Sequence, residues 1–197
     1  MQTEYEVKFY PVDKEAIRNK LKINGAKLEQ PEVKTVISAY NKSLNPQIDG
    51  DYLRVRHEGD KVRMSIKIHA LEGGKIDDQK EIDVIVSDFD TTLEILKRSG
   101  LHQTGYQEKF RETWSLDNTE VVIDTWPGLD TYIEIEGKSE MDVHKVAELL
   151  EFDWEKKIIT SVVEIYMEKY KLNAESAHKL LKHATFAENP FKELSNS

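Results

Sequence analysis

Polar and apolar residues alternate with period two through much of the chain, the mark of strands with two unlike faces. In Glu4-Tyr5-Glu6-Val7-Lys8-Phe9, one face carries Tyr5, Val7 and Phe9 and the other Glu4, Glu6 and Lys8. Residues 52–57 put Arg54 and Arg56 together, and residues 62–69 set Val62, Met64, Ile66 and Ile68 against Arg63, Ser65, Lys67 and His69. Residues 79–86 place Gln79, Glu81 and Asp83 opposite Lys80, Ile82 and Val84. Further on, Lys109, Arg111 and Thr113 share a face, as do Val122 and Asp124. Tyr132, Glu134 and Glu136 lie opposite Ile133 and Ile135. Another strand is expected from Lys34 to Lys42.

Helical spacing comes after several of these strands. Asp13 to Gly25 has Asp13 as N-cap, a stripe of Ala16, Ile17 and Leu21, and Gly25 as its stop. Asp88 to Gly100 repeats the plan with Phe89, Leu93 and Leu96. Ser139 to Phe152 opens on a Ser139–Asp142 capping box and carries Val143, Val146, Ala147 and Leu150. A helix is expected from Asp153 to Leu172 and a second from Asn173 to about Ala184, with residues 188–197 poorly ordered. Asp49-Gly50, Gly73-Gly74 and Pro127-Gly128 are turn signals between strands.

The apolar strand faces find partners in these amphipathic helices, so the charged faces must point elsewhere. In an open sheet they would meet solvent. About eight such strands can instead close into a barrel, whose interior is then a polar tunnel. Unpaired buried ions cost several kcal/mol each, so such a lumen must stay wet, pair its charges or bind counterions. Clustered Arg and Lys suit phosphate oxygens, while clustered carboxylates suit a hard divalent cation. Both together describe a polyphosphate with its metal.

Composition narrows the field. The 197 residues correspond to one domain, or one domain with a helical extension, and 39% hydrophobic residues suffice for a core. With no Cys there is no disulfide scaffold, thiolate–zinc site or Cys nucleophile. The sequence lacks a membrane-spanning apolar run and the start of a signal peptide, so a soluble cytoplasmic protein is expected. A net charge of −9 disfavours DNA as partner.

Glu4-Tyr5-Glu6-Val7-Lys8 resembles the ExExK signature of the CYTH superfamily, the triphosphate tunnel metalloenzymes. The order of the motifs downstream strengthens the match over residues 1 to about 170. Arg54-Val55-Arg56 resembles the RxR strand, Ser65-Ile66-Lys67 the strand with a phosphate-binding Lys, and Glu81-Ile82-Asp83 the middle acidic strand. Lys109-Phe110-Arg111 resembles the KxR strand, and Asp124 with Tyr132 to Gly137 the acidic closing segment. Gln79 departs from the pattern, since many relatives carry a basic residue near there.

The resemblance implies an α+β fold: an eight-stranded antiparallel β-barrel tunnel with helices packed outside and a C-terminal helical extension. Residues 1–172 would form the tunnel domain and 173–197 the last helix and a flexible tail. It implies Mg2+ or Mn2+ held by Glu4, Glu6, Asp124, Glu134 and Glu136. The phosphate chain would be held by Lys8, Arg54, Arg56, Lys67, Lys109 and Arg111. Glu6, Glu81 and Lys8 become the candidate catalytic residues, and Glu81 with Asp83 a second acidic cluster. The implied substrate is a small molecule bearing a triphosphate, hydrolysed at its terminal phosphorus; tripolyphosphate, thiamine triphosphate and nucleoside triphosphates all qualify. A class IV adenylyl cyclase is the alternative within the fold. A non-catalytic polyphosphate- or nucleotide-binding module would not need the carboxylates, and a lipid carrier would need an apolar lumen.

Other residues carry plainer expectations. Arg63 and His69 are expected in solvent at strand ends, His57 outside the lumen, and Trp114, Trp126 and Trp154 in packing. Tyr40 and Tyr132 are open between lining the lumen and supporting it. Lys156 and Lys157 are candidates to reach the tunnel from the C-terminal region. The last helix is available to cover the barrel, to swap between subunits or to support a homodimer.

Overall fold

The computed structural model describes residues 2–41, 52–68 and 79–194. Its strands are β1 (Gln2–Phe9), β2 (Lys27–Asn41), β3 (Tyr52–His57), β4 (Val62–Ile68), β5 (Gln79–Val86), β6 (Gln103–Leu116), β7 (Thr119–Thr125), β8 (Tyr132–Gly137) and β9 (His183–Ala184). The helices are α1 (Lys14–Ile23), α2 (Phe89–Arg98), α3 (Glu140–Leu149), α4 (Val162–Tyr170) and α5 (Ala174–Leu181). Neighbours run β2-β3-β4-β5-β1-β8-β7-β6, and β6 pairs back onto β2, so eight strands close into a ring. Every pairing within that ring is antiparallel. The shortest seam joins Gln2, Thr3 and Glu4 of β1 to Glu81, Lys80 and Gln79 of β5.

Closure sorts the two faces of each strand. Outward-facing Val7, Phe9, Val121, Ile123, Ile133 and Ile135 pack against Ile17 and Leu21 of α1 and Val143, Val146 and Ala147 of α3. Each fully buried aliphatic side chain there contributes roughly 1.5–3 kcal/mol. A second outer cluster joins Tyr40, Val55 and Val62 to Leu96 of α2. The helices start at their cap residues: Asp13 accepts from Ala16 N at 2.7 Å, Asp88 from Thr91 N at 2.7 Å and Ser139 from Asp142 N at 3.2 Å. The Ser139 hydroxyl also donates to Asp142 Oδ2 at 2.7 Å, completing the box in its Asp form.

Four expectations need correction. First, β2 begins at Lys27 rather than Lys34; the register slips between Leu28 and Val33, and that irregularity accommodates Pro31, which has no N–H to offer. Its expected end at Lys42, the turns Asp49-Gly50 and Gly73-Gly74, and His69 lie outside the described residues. Second, the segment 153–172 is not one helix. A 3-10 turn at Trp154–Lys156 gives way to an extended stretch in which Ile158 exchanges both backbone hydrogen bonds with Lys8, at 2.8 and 2.9 Å, and α4 starts only at Val162. Third, the chain after α5 adds β9, parallel to β6 at Tyr106 and Gln107.

Fourth, the segment after residue 188 is anchored by one buried side chain, Phe191, while Glu188 and residues 192–194 are exposed. Phe191 is fully buried and stacks on Tyr166 and Tyr170 at centroid distances of 4.2 and 5.1 Å. It lies against Gly128, where an added Cβ would come within 2.8 Å of the Phe191 Cβ. Gly128 also has φ +81, so the β7–β8 connection needs glycine on both counts.

Arg18 of α1 clamps the outer face of β6. Its guanidinium reaches Glu112 through Nε at 3.2 and 3.1 Å and Nη2 at 2.5 Å, and Trp114 Nε1 donates to the same carboxylate at 2.6 Å. Burial would push the Glu112 carboxyl up, but Arg18 and Trp114 outweigh it and hold the group below its ordinary range. A carboxylate depressed by folding stabilises fully above its unfolded pKa, and that stability is lost as pH falls through the lower folded value. Glu112→Gln should cost about 1.5–3 kcal/mol at neutral pH and flatten the acid limb of stability against pH, both read by urea unfolding. Parallel acid limbs in the two chains would count against the clamp.

Candidate active site

The closed ring gathers the inward side chains into two facing networks. On the wall built by β3, β4 and β5, Arg54 Nη2 donates to both oxygens of Glu81 at 3.1 and 2.9 Å, and its Nε reaches Ser65 Oγ at 3.2 Å. Arg56 Nη2 donates to Glu81 at 3.2 Å. Arg63 pairs with Asp83 and with Glu58, so it is not left to solvent as the sequence suggested.

On the wall built by β1, β6, β7 and β8, Asp124 is fully buried beneath two cations. Lys109 Nζ donates to it at 2.7 Å, and Arg111 donates through Nε at 2.8 Å and Nη2 at 2.5 Å. Arg111 Nη2 also reaches Glu134 at 2.5 Å, and the Tyr132 hydroxyl stands 3.4 Å from Asp124. Lys8 pairs with Glu6 and lies 3.9 Å from Glu134.

Register explains the groupings. Arg111 is directly opposite Asp124, Lys8 opposite Glu134 and Glu6 opposite Glu136. The side chains of Glu4 and Lys67 lie outside the described part; their backbones sit in β1 and β4, Lys67 opposite Glu81. The other ten predicted site residues, Glu6, Lys8, Arg54, Arg56, Glu81, Lys109, Arg111, Asp124, Glu134 and Glu136, all lie on barrel strands, on alternate positions of β1, β3 and β5 to β8.

The electrostatics are those of a crowded, largely buried lumen. Burial pushes the Lys109 amine down to about 8, and the nearby charge of Arg111 adds to the effect. Burial pushes Arg56 down to about 10, helped first by Arg54, with Arg111 of the opposite wall also contributing. Burial would raise the Asp124 carboxyl, yet Arg111 and Lys109 hold it well below the usual carboxylate range. Burial would lower Arg111, but Asp124 and Glu134 carry it well above its ordinary value.

Glu58 joins this network by continuing the face of Arg54 and Arg56 one step beyond β3. It lies past the end of β3 in the turn to β4, where a polar residue is unremarkable, yet it is largely buried between Arg56 at 3.3 Å and Arg63 at 3.3 Å. Lys156 and Lys157 do not reach the tunnel: Lys156 is exposed beside Asp153, and Lys157 lies 4.7 Å over the Trp154 ring. His57 meets Phe89 of α2 on the outside at 6.2 Å. Tyr40 also packs outside, whereas the Tyr132 hydroxyl turns inward to Asp124.

Among the described residues no group of three or more His, Asp or Glu is close enough to cage a metal unaided. Mg2+ does not require one, because it takes one or two carboxylates and completes its shell with water and substrate phosphates. Glu6 and Glu136, like charges directly opposite across a strand pair, are the kind of donor set a cation would relieve.

A family model described as the CYTH domain matches residues 2–164. The chain belongs to the CYTH domain family. No curated protein matches. Among solved structures, the PH1819 protein of Pyrococcus horikoshii is 26% identical with a TM-score of 0.62, the alignment covering 84% of this chain and 99% of that one. A proposed adenylate cyclase of Vibrio parahaemolyticus is 16% identical, TM-score 0.68, over 84% and 98% of the two chains. A Hippeastrum protein, described as a proposed adenylyl cyclase with a dominant triphosphatase activity, is 12% identical, TM-score 0.53, over 89% and 99%. These neighbours share the fold. Among the described residues no helix is long and apolar enough to cross a membrane.

Asp124 is the countercharge on which the second wall rests. Asp124→Asn should lower the free energy of unfolding by roughly 3–5 kcal/mol, because Lys109 and Arg111 lose their buried partner. Urea denaturation measures the loss, and a change below about 1 kcal/mol would show the pair to be dispensable.

Proposed function

We propose that this CYTH protein hydrolyses a linear triphosphate with the help of a divalent cation. The reading rests on the convergence of Arg54, Arg56, Lys109 and Arg111 from strands on both sides of one closed ring, interleaved with the carboxylates Glu81, Asp124 and Glu134. A multiply charged anion entering the lumen would meet these cations from several sides at once. Tripolyphosphate, thiamine triphosphate and nucleoside triphosphates share that chemistry.

In this reading Lys8, Arg54, Arg56, Lys67, Lys109 and Arg111 hold phosphate oxygens, Arg as a planar fork and Lys as a point charge. Glu6 and Glu136, with Glu4 and Glu134 on the same two strands, would hold Mg2+ or Mn2+, which withdraws charge from phosphoryl oxygens when bound. Asp124, already engaged by Lys109 and Arg111, aims those cations rather than meeting the metal. Water attacks the terminal phosphorus, the bridging P–O bond breaks, and diphosphate and orthophosphate leave. Glu6 or Glu81 orients the water and takes its proton, while Lys8, paired to Glu6, stabilises charge on the reacting group. Hydrolysis demands only the triphosphate grip, whereas cyclisation also needs an adenine pocket and a positioned 3′-hydroxyl. The dominant triphosphatase activity named for the Hippeastrum relative supports the same choice.

Incubation with tripolyphosphate or ATP and either Mg2+ or Mn2+ should release orthophosphate, with ADP rather than cyclic AMP from ATP. Glu136→Gln and Glu6→Gln should each lower turnover about 10²–10³-fold while leaving the circular dichroism spectrum unchanged. Undiminished metal-dependent turnover in both variants, or cyclic AMP with pyrophosphate as the products, would reject the assignment.

A further inference from the structure

Three buried polar side-chain atoms among the described residues lack a hydrogen-bond partner: Thr35 Oγ1, Arg56 Nε and Trp126 Nε1. Such groups are rare in folded proteins, and each calls for a missing partner. They are not scattered. Thr35 lies directly opposite Lys109 in the β2–β6 pairing, and Ile37, on the same face of β2, lies opposite Arg56 of β3. The Trp126 ring is 5.6 Å from Lys109 Nζ. Arg56 Nε stands 3.3 Å from a Glu58 oxygen without the alignment of a hydrogen bond. Thr35, Arg56 and Trp126 are 1%, 8% and 7% exposed, so water does not readily satisfy them.

All three groups can donate, and Arg56 Nε and Trp126 Nε1 can only donate. They sit on β2, on β3 and just after β7, so they approach from different directions. That suits a tetrahedral oxyanion better than a flat carboxylate. Past Lys109 the lumen meets an apolar cluster of Ile37, Trp126 and Tyr132 with Ile165 and Tyr166 of α4. An anion chain can end there but has no polar path onward.

We infer that Thr35 is a specificity-determining residue whose hydroxyl donates to the end phosphoryl group of the bound chain, in a pocket completed by Arg56, Lys109, Arg111 and the Trp126 indole. This deepens the proposed function and rests on its triphosphate reading, but it concerns binding and not which bond is broken. The pocket selects a free terminal phosphate, and any organic group on the substrate points toward the opposite end of the tunnel.

The test compares Thr35→Val, which keeps volume and removes the hydroxyl, with Thr35→Ser, which keeps the hydroxyl. Inorganic tripolyphosphate is the probe, titrated calorimetrically in Mg2+ buffer, with orthophosphate release measured in parallel. Thr35→Val should weaken binding and raise KM about 10-fold with kcat within about twofold, and Thr35→Ser should stay within about twofold of wild type. Without ligand, the melting temperature of Thr35→Val should equal or exceed that of wild type, since an unsatisfied hydroxyl has been removed. Should that variant fail to fold, Thr35→Ala carries the same comparison. Equal tripolyphosphate affinity in the hydroxyl-free variant and wild type overturns the inference while leaving the hydrolase reading intact. Weakened binding in a chain that releases no orthophosphate supports the inference and removes hydrolysis. A wild-type chain that takes up no tripolyphosphate overturns both.

Discussion

Closing an eight-stranded sheet on itself forces every second residue of each strand inward, and in this chain many of those residues are charged. Everything else about the molecule answers that constraint. Charges removed from water must be paired, and the walls pair them between strands: Arg111 with Asp124 across the adjacent β6 and β7, and Arg54 of β3 with Glu81 of β5, reaching over β4. These pairs are weak evidence of stability, because desolvation consumes much of what attraction returns. Their effect is to aim cations at one volume while keeping the lumen intact without ligand.

The same network explains why the two walls differ chemically. Asp124 is enclosed by Lys109, Arg111 and the Tyr132 hydroxyl, so its carboxylate serves the cations beside it. Glu6 and Glu136 face each other across β1 and β8, an arrangement that favours a shared cation. In the proposed reading the cations hold a phosphate chain and the carboxylate pair its metal. The C-terminal segment supports this from outside. Phe191 against Gly128, and Tyr166 donating to Pro127 O at 2.7 Å, fix the β7–β8 connection that carries Asp124 and Tyr132 on its two sides.

Much of this was legible before any coordinates. Period-two alternation identified β1, β3, β4, β5, β7 and β8, and the caps at Asp13, Asp88 and Ser139 located three helix starts. The ordered motifs from Glu4 to Glu136 named the CYTH family, and its model matches residues 2–164. The misreadings have identifiable causes. The apolar spacing after Asp153 resembles a helix, but Ile158 is drawn into backbone pairing with Lys8, a partner 150 residues away that local pattern cannot register. Phe191 comes after a short polar stretch that reads as a loose tail, yet two tyrosines of α4 receive it.

What the sequence determined by itself was the set of faces: which residues of each strand are apolar, which are charged, and where helices begin. Those properties depend on residues two to four positions apart, and they survive in the linear chain. Tertiary structure alone decided which charges meet. That Arg54 and Arg56 both meet Glu81, that Glu58 joins Arg56 to Arg63, and that the Thr35 hydroxyl lies beside Lys109 without a hydrogen-bond partner are all consequences of strand order, register and ring closure. Register is set by the whole barrel packing at once, since slipping one strand by a single residue would turn its charges into the apolar shell and its apolar side chains into the lumen.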